Sequence, residues 1–123
     1  MEKYNALLLV MDTLLGPDGC PWDKSQTHET LRKNLKEECQ EVINAINAKD
    51  WPGLCEELGD VLINVILHAK IAEKEGRFTM EDVLEGVAKK LISRHTHIFG
   101  GDKAATPEEA RRIWEANKKK EKR

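Results

Sequence analysis

Two acidic stretches decide how this chain is read: Glu37-Glu38-Cys39-Gln40-Glu41 and Glu56-Glu57-Leu58-Gly59-Asp60. Between them Asp50-Trp51-Pro52-Gly53 form a short turn, and Pro52 is tolerated in a first helical turn because its missing N–H costs nothing there. Both flanks keep helical spacing. Leu31, Leu35, Cys39, Val42 and Ile46 line a helix from about Glu29 to Ala48. Leu54, Leu58, Val61, Leu62, Val65, Ile66, Ala69 and Ala72 line another, which ends near Glu75 with Gly76 as its C′ residue. A short turn makes the two helices antiparallel. Glu41 and Glu57 are then equidistant from Lys49, as are Glu38 and Asp60, so each pair sits at one height. Residues three apart share a helix face. Glu38 with Glu41, and Glu57 with Asp60, are therefore expected to face each other across the hairpin.

Four converging carboxylates repel, so each must take a proton or meet a cation. Hard oxygen donors with no thiolate favour Mg²⁺ or Mn²⁺ over zinc. The line continues along the second helix through Asn64 and His68 at i+4 steps. Gly59, inside that helix, costs about 1 kcal/mol against Ala, which hints at a close approach there. A di-iron bundle would want Glu-x-x-His on two helices, and positions 41 and 60 are Glu and Asp. The bland alternative is a pair of solvated helix faces, the usual fate of a lone Glu-x-x-Glu.

Outward from this hairpin, three more helices are predicted. Tyr4, Leu7, Leu8, Met11, Leu14 and Leu15 space a helix over about Glu2 to Leu15, broken by Gly16, Pro17 and Gly19. The loop Gly19-Cys20-Pro21-Trp22-Asp23-Lys24 reads as too polar and rigid for an element. Thr79 to Asp82 resembles a capping box and opens a helix with Val83, Val87 and Leu91, ending near Ser93. Thr106-Pro107-Glu108-Glu109 is a second box and opens the helix of Ile113 and Trp114. No window alternates like a strand. The first and third helices are apolar over wide arcs, so an all-α bundle completed by a second copy is expected.

The 123 residues suit one domain over positions 1–123. A net charge of −2 argues against a nucleic-acid polymer as partner. Acids gather between Glu37 and Asp60, and bases in the tail from Lys118 to Arg123. Three cysteines without CxxC spacing predict a reduced, cytoplasmic chain. No apolar run approaches a signal region or a membrane span.

The run Glu37-Glu38-x-x-Glu41, a spacer, then Glu56-Glu57-x-x-Asp60 resembles the signature of MazG-type, all-α nucleoside triphosphate pyrophosphohydrolases. Gly19-Cys20-Pro21-Trp22-Asp23 with Gln26-Thr27, Cys55 to Asp60, Glu75-Gly76-Arg77-Phe78 and Arg94-His95-x-His97-x-Phe99 resemble further family motifs, in order, over nearly the whole chain. The resemblance implies Mg²⁺-dependent hydrolysis of a nucleoside triphosphate to monophosphate and pyrophosphate, by a dimer or tetramer that clears surplus or noncanonical nucleotides. It implies Glu38, Glu41, Glu57 and Asp60 as metal ligands, with Glu37 and Glu56 beside them to orient or deprotonate water; Glu37, Glu38, Glu41 and Glu56 are the catalytic candidates. Lys90, Arg94, Trp114 and Lys118 match positions for substrate contact, and Asn64 joins them. Trp22 is a loop anchor or a base platform. Trp114 is a base platform or a core residue. His95 and His97 are expected to fix the loop rather than bind zinc, and His68 to be structural. Leu31 to Leu35 and Thr96 depart from the pattern, where relatives often carry Pro followed by an aromatic and Pro. The alternative from another class is a helical regulatory module that binds nucleotide or metal without turnover.

Overall fold

The computed structural model describes residues 2–121. Among them there are helices and no strands. The order is α1 (Glu2–Leu15), α2 (Pro21–Lys24), α3 (His28–Ala48), α4 (Trp51–Lys74), α5 (Met80–Arg94), α6 (Thr96–Phe99) and α7 (Pro107–Glu121). Two compact units divide the chain, one up to Thr79 and one from Met80. Lys122 and Arg123, the end of the expected basic tail, lie outside the described residues. No described helix is long and apolar enough to cross a membrane.

In the first unit, Met11 of α1, Leu31 of α3 and Ile66 and Leu67 of α4 form the buried cluster, with Leu7, Leu8, Leu14, Leu15 and Ile71 packed around it. The α3–α4 contacts run in opposite order along the two helices: His28 meets His68, Asn34 meets Asn64, and Glu41 meets Glu57. Local chemistry fixes the ends. Asp50 caps α4 by accepting from Gly53 N–H at 3.0 Å. Lys49 leaves α3 in the left-handed region at φ 54°, and Gly76 leaves α4 at φ 72°. Gly76 donates to Glu73 and Arg77 to Ala72, the paired bonds of a Schellman ending.

The structure corrects the reading of two loop segments and of the box before α7, and adds a capping box at α3. The segment around Trp22 is a helical turn, with Pro21 at its first position; one turn is too short to show a period. Thr96–Phe99 is another such turn. The capping box of α3 uses Thr30, not Glu or Gln: Thr30 N–H donates to Thr27 Oγ1 at 3.1 Å, and Thr27 N–H to Thr30 Oγ1 at 2.9 Å. At α7 the expected box is altered. Thr106 Oγ1 accepts from Glu109 N–H, but the Glu109 carboxylate takes the N–H of Ala105 rather than that of Thr106.

Candidate metal and phosphate site

Helical spacing on α3 and α4 brings Glu41, Glu57 and Asp60 together: one carboxylate oxygen from each lies within 4.8 Å of the others. Glu38 adjoins them. Its carboxyl is held above the usual range by burial first and by the charge of Asp60 next, while a hydrogen bond from Asn34 works the other way. Glu57 is pushed up to about 7, chiefly because it shares a hydrogen bond with Glu41, then through burial and the charges of Glu41, Asp60 and Glu56. Glu38 Oε2 and Glu57 Oε2 are buried without a partner. Buried carboxylate oxygens are expensive to leave unpaired. An octahedral cation about 2.1 Å from each ligand holds its oxygens about 3–4 Å apart. The trio is grouped closely enough for a divalent cation to draw its oxygens together, and the orphaned oxygens beside it fit further ligation.

The other acids stand outside this cluster. Glu37 is exposed and leans toward Lys33 at 3.9 Å, and its charge still reaches Glu38. Glu56 is exposed next to Glu57. Asn64 is placed where no open surface exists: at 1 % exposure it donates to Leu31 O and Asn34 Oδ1, each at 3.3 Å. The structure therefore puts it inside the helix pair rather than on a face a substrate could reach. At Gly59 nothing among the described residues lies within 4 Å of where a Cβ would stand, so no described neighbour of its own makes the close approach expected there.

Trp22 is 73 % exposed. With Gln26, Thr30, Leu31, Asn34 and others it lines a cavity of about 420 Å³. Its backbone carbonyl accepts from Ser25 Oγ at 2.7 Å and Gln26 Nε2 at 3.2 Å, which ties the turn to the start of α3.

The second unit groups the cationic candidates. The Arg94 guanidinium lies 5.1 Å and the Lys118 ammonium 5.0 Å from the Trp114 ring centre, within cation–π range. The Trp114 ring is thus flanked by positive charge. Arg94 Nε also donates to Glu121 Oε2 at 3.0 Å, and Ser93 Oγ donates to the same carboxylate. These bonds hold Glu121 below the usual range, with Ser93 the larger cause, and Lys90 adds its charge. Asn117 donates to Thr96 Oγ1 at 2.9 Å, and Thr96 in turn to Asp102 at 2.6 Å. His95 Nδ1 bonds Leu91 O at 2.6 Å, the loop-fixing role expected of it. Sequence reasoning missed Asn34, Glu121 and His28. His28 stacks on His68, with ring centres 5.0 Å apart and planes 8° from parallel, and its Nε2 reaches Glu75 at 3.1 Å.

With this geometry in view, comparison with known proteins is specific. The MazG nucleotide pyrophosphohydrolase domain matches residues 26–99, a range that holds all four clustered acids. The nucleoside triphosphate pyrophosphohydrolase/pyrophosphatase MazG of Thermotoga maritima is 45 % identical over 97 % of this chain and 45 % of its own length. The nucleoside triphosphate pyrophosphohydrolase of Escherichia coli K12 is 39 % identical over 98 % of this chain and 46 % of its own. The chain spans less than half the length of the curated relatives it matches. The crystal structure of a mazG-related protein from Thermotoga maritima superimposes with a TM-score of 0.77 at 31 % identity, covering 94 % of this chain and 98 % of that one. An all-helical chain with this acidic cluster, matched over its central 74 residues (26–99) and by these relatives, belongs to the MazG nucleotide pyrophosphohydrolase domain family.

Proposed function

We propose that the chain is a Mg²⁺-dependent nucleoside triphosphate pyrophosphohydrolase, with Mn²⁺ as an alternative cation. The observation that carries this reading is the convergence of Glu41, Glu57 and Asp60 oxygens within 4.8 Å, flanked by unpartnered buried oxygens on Glu38 and Glu57. In this reading α3 and α4 form an antiparallel hairpin, which the opposite order of their contacts supports, and the four carboxylates hold the metal. A bound divalent cation would neutralise phosphate oxygens and acidify water. Glu37 and Glu56 stand ready to orient the attacking water and accept its proton. Water oxygen bonds to the α-phosphorus as the bond to the bridging oxygen breaks, which releases monophosphate and pyrophosphate.

The cationic group of the second unit suits phosphate oxygens. Arg94 offers a planar fork of donors, and Lys90 and Lys118 offer point charges. Trp114 and Trp22 offer aromatic faces to a base. Exposed apolar side chains support a homo-oligomer, a dimer or a tetramer. Leu9 and Val10 on α1 are 68 % and 54 % exposed, and Leu58, Leu62, Ile63 and Val65 stand open on α4. Three free cysteines suit a reduced, cytoplasmic setting, where clearing unwanted nucleotides is the natural task.

The test is pyrophosphate release from a panel of canonical and damaged NTPs and dNTPs, with Mg²⁺ and with chelator. Metal-dependent release that disappears in Glu41→Gln is expected. A folded protein that binds Mn²⁺ and releases no pyrophosphate from any triphosphate would instead be a non-catalytic nucleotide- or metal-binding module.

A further inference from the structure

Arg94 is engaged on two sides at once. Its guanidinium lies over the Trp114 ring at 5.1 Å, and the Lys118 ammonium lies 5.0 Å from the same ring. Its Nε donates to Glu121 Oε2 at 3.0 Å, and Ser93 Oγ donates to Oε1 of that carboxylate. Two successive residues at the end of α5 thus supply a donor to each oxygen of one anion on α7. Ser93 first and Arg94 next hold the Glu121 carboxyl below its usual range, so it is charged at neutral pH. The Arg94 side chain is only 12 % exposed, against 33 % for Glu121. A second anion reaches that edge of the guanidinium only after the first has left. Glu121 can leave. It stands on the exposed last position of α7, and rotation about its own side-chain torsions takes the carboxylate to solvent without backbone movement.

We propose that Ser93 Oγ and the Arg94 guanidinium form an oxyanion subsite for a substrate phosphate, which the Glu121 carboxylate fills in the free protein and vacates when phosphate enters. The proposal rests on the reading above that gives Arg94 a phosphate contact. It adds Ser93 as a donor and Glu121 as a competitor that sets affinity. Carboxylate and phosphate oxygens take the same charge-assisted bonds from guanidinium and hydroxyl donors. A phosphate chain carries more negative charge than one carboxylate, so Arg94 and Lys118 favour the exchange. The other account of the pair is a tie between α5 and α7 made for stability, and exposed ion pairs contribute little of that. The two accounts differ in sign. If Glu121 competes, removing its charge strengthens phosphate binding. If it only holds Arg94 in place, removing it loosens the guanidinium and weakens binding.

The experiment titrates inorganic tripolyphosphate into the full chain by calorimetry in metal-free buffer, so that no cation on the α3–α4 acids recruits the probe. Wild type is compared with Glu121→Gln, and with Ser93→Ala and Arg94→Gln alone and combined with Glu121→Gln. Helical circular dichroism checks that each is folded. Glu121→Gln is expected to bind about 2- to 5-fold tighter than wild type, the range that a partly exposed ion pair is worth. The gain should vanish in the Arg94→Gln background, because competitor and donor act as one unit. Ser93→Ala should remove part of the affinity that Glu121→Gln gains. Unchanged or weaker binding in Glu121→Gln overturns the proposal. So does an equal gain in the Arg94→Gln background, which would be a general effect of charge, and so does the absence of binding by both wild type and Glu121→Gln. None of these results touches the hydrolase reading, which stands on pyrophosphate release by the wild type with Mg²⁺.

Discussion

The α3–α4 pair carries polar groups at both of its ends and treats them in opposite ways. At the far end from the turn, His28 and His68 stack with their Nδ1 atoms 2.7 Å apart, and Glu75 takes the outer nitrogen of His28. A base meets a base through one shared proton, and an acid accepts from the outer nitrogen of His28. Toward the turn, Glu41, Glu57 and Asp60 face one another, Glu38 adjoins them, and two buried oxygens have no partner. The same two helices pair the histidine end and leave carboxylate oxygens unsatisfied where a ligand is expected, with Asn64 Oδ1 as a further buried orphan between the two ends. Buried polar atoms in native chains are overwhelmingly bonded, so the unmatched end is the informative one.

The contrast breaks most completely if one acid is removed from the open end. Losing a residue that merely orients a ligand costs up to about 100-fold. Glu41→Gln or Asp60→Asn, which remove a ligand itself, should therefore lower Mg²⁺-dependent pyrophosphate release by at least about 100-fold. Helical circular dichroism should be unchanged, and the metal-free protein no less stable. Full turnover in either variant would remove that residue from the ligand set. His28→Ala at the closed end should leave the metal requirement as it is.

Cation-dependent stability sharpens the comparison. A ligand that binds only the folded chain stabilises it by about 2.7 kcal/mol at 100 times its dissociation constant. Chemical denaturation with Mg²⁺ against chelator should show an increment of that order in wild type and in His68→Leu. Asp60→Asn should show almost none. An equal increment in Asp60→Asn would mean that the cation binds elsewhere.

The two ends should also respond to pH with opposite sign. Glu57 is pushed up to about 7 from an ordinary 4.5, so without metal the folded chain binds more protons than the unfolded one between those values. Its contribution to stability is complete below 4.5 and is lost as pH rises through about 7. His68 is held below its ordinary 6.5 by burial and by the charge of His28. The folded chain then binds fewer protons, and this contribution is present above 6.5 and lost as pH falls. Denaturation in chelator from pH 5 to 8 should therefore lose its alkaline decline in Glu57→Gln and its acid decline in His68→Leu. Swapped assignments would reverse the account of both ends.

What could be read in advance follows the same division. The acids were legible because their spacing repeats on both sides of the turn, and a period of three or four needs only one helix to be seen. The wide apolar arcs of α1 and α4 were legible for the same reason. His28 with His68 was not, because the pairing joins residues 40 apart and depends on the register of two helices. Extending the register of Glu41 and Glu57 to the far end does bring these rings within a turn of each other. The turns at Pro21–Lys24 and Thr96–Phe99 are too short to carry a period. Thr30 at the third position of α3 hid a capping box because its hydroxyl does what a carboxylate usually does there. Glu121 reads as part of a charged tail until Ser93 and Arg94 are found on it.

Two glycines give the smallest and most discriminating test. At Gly19 a Cβ would stand 2.1 Å from Leu14 O, so the turn after α1 has no room for a side chain. At Gly59, one residue before Asp60, a Cβ meets nothing within 4 Å. Gly59 lies within α4 and is exposed, where Ala is favoured by about 1 kcal/mol. Gly59→Ala should therefore stabilise the metal-free chain by about that amount in denaturant titration, whereas Gly19→Ala should destabilise it. If Gly59→Ala failed to stabilise the isolated chain, the open space would not be open. If it stabilised the fold but lowered pyrophosphate release or shifted the oligomeric state, the missing side chain would be serving something from outside the chain that comes close to the acids.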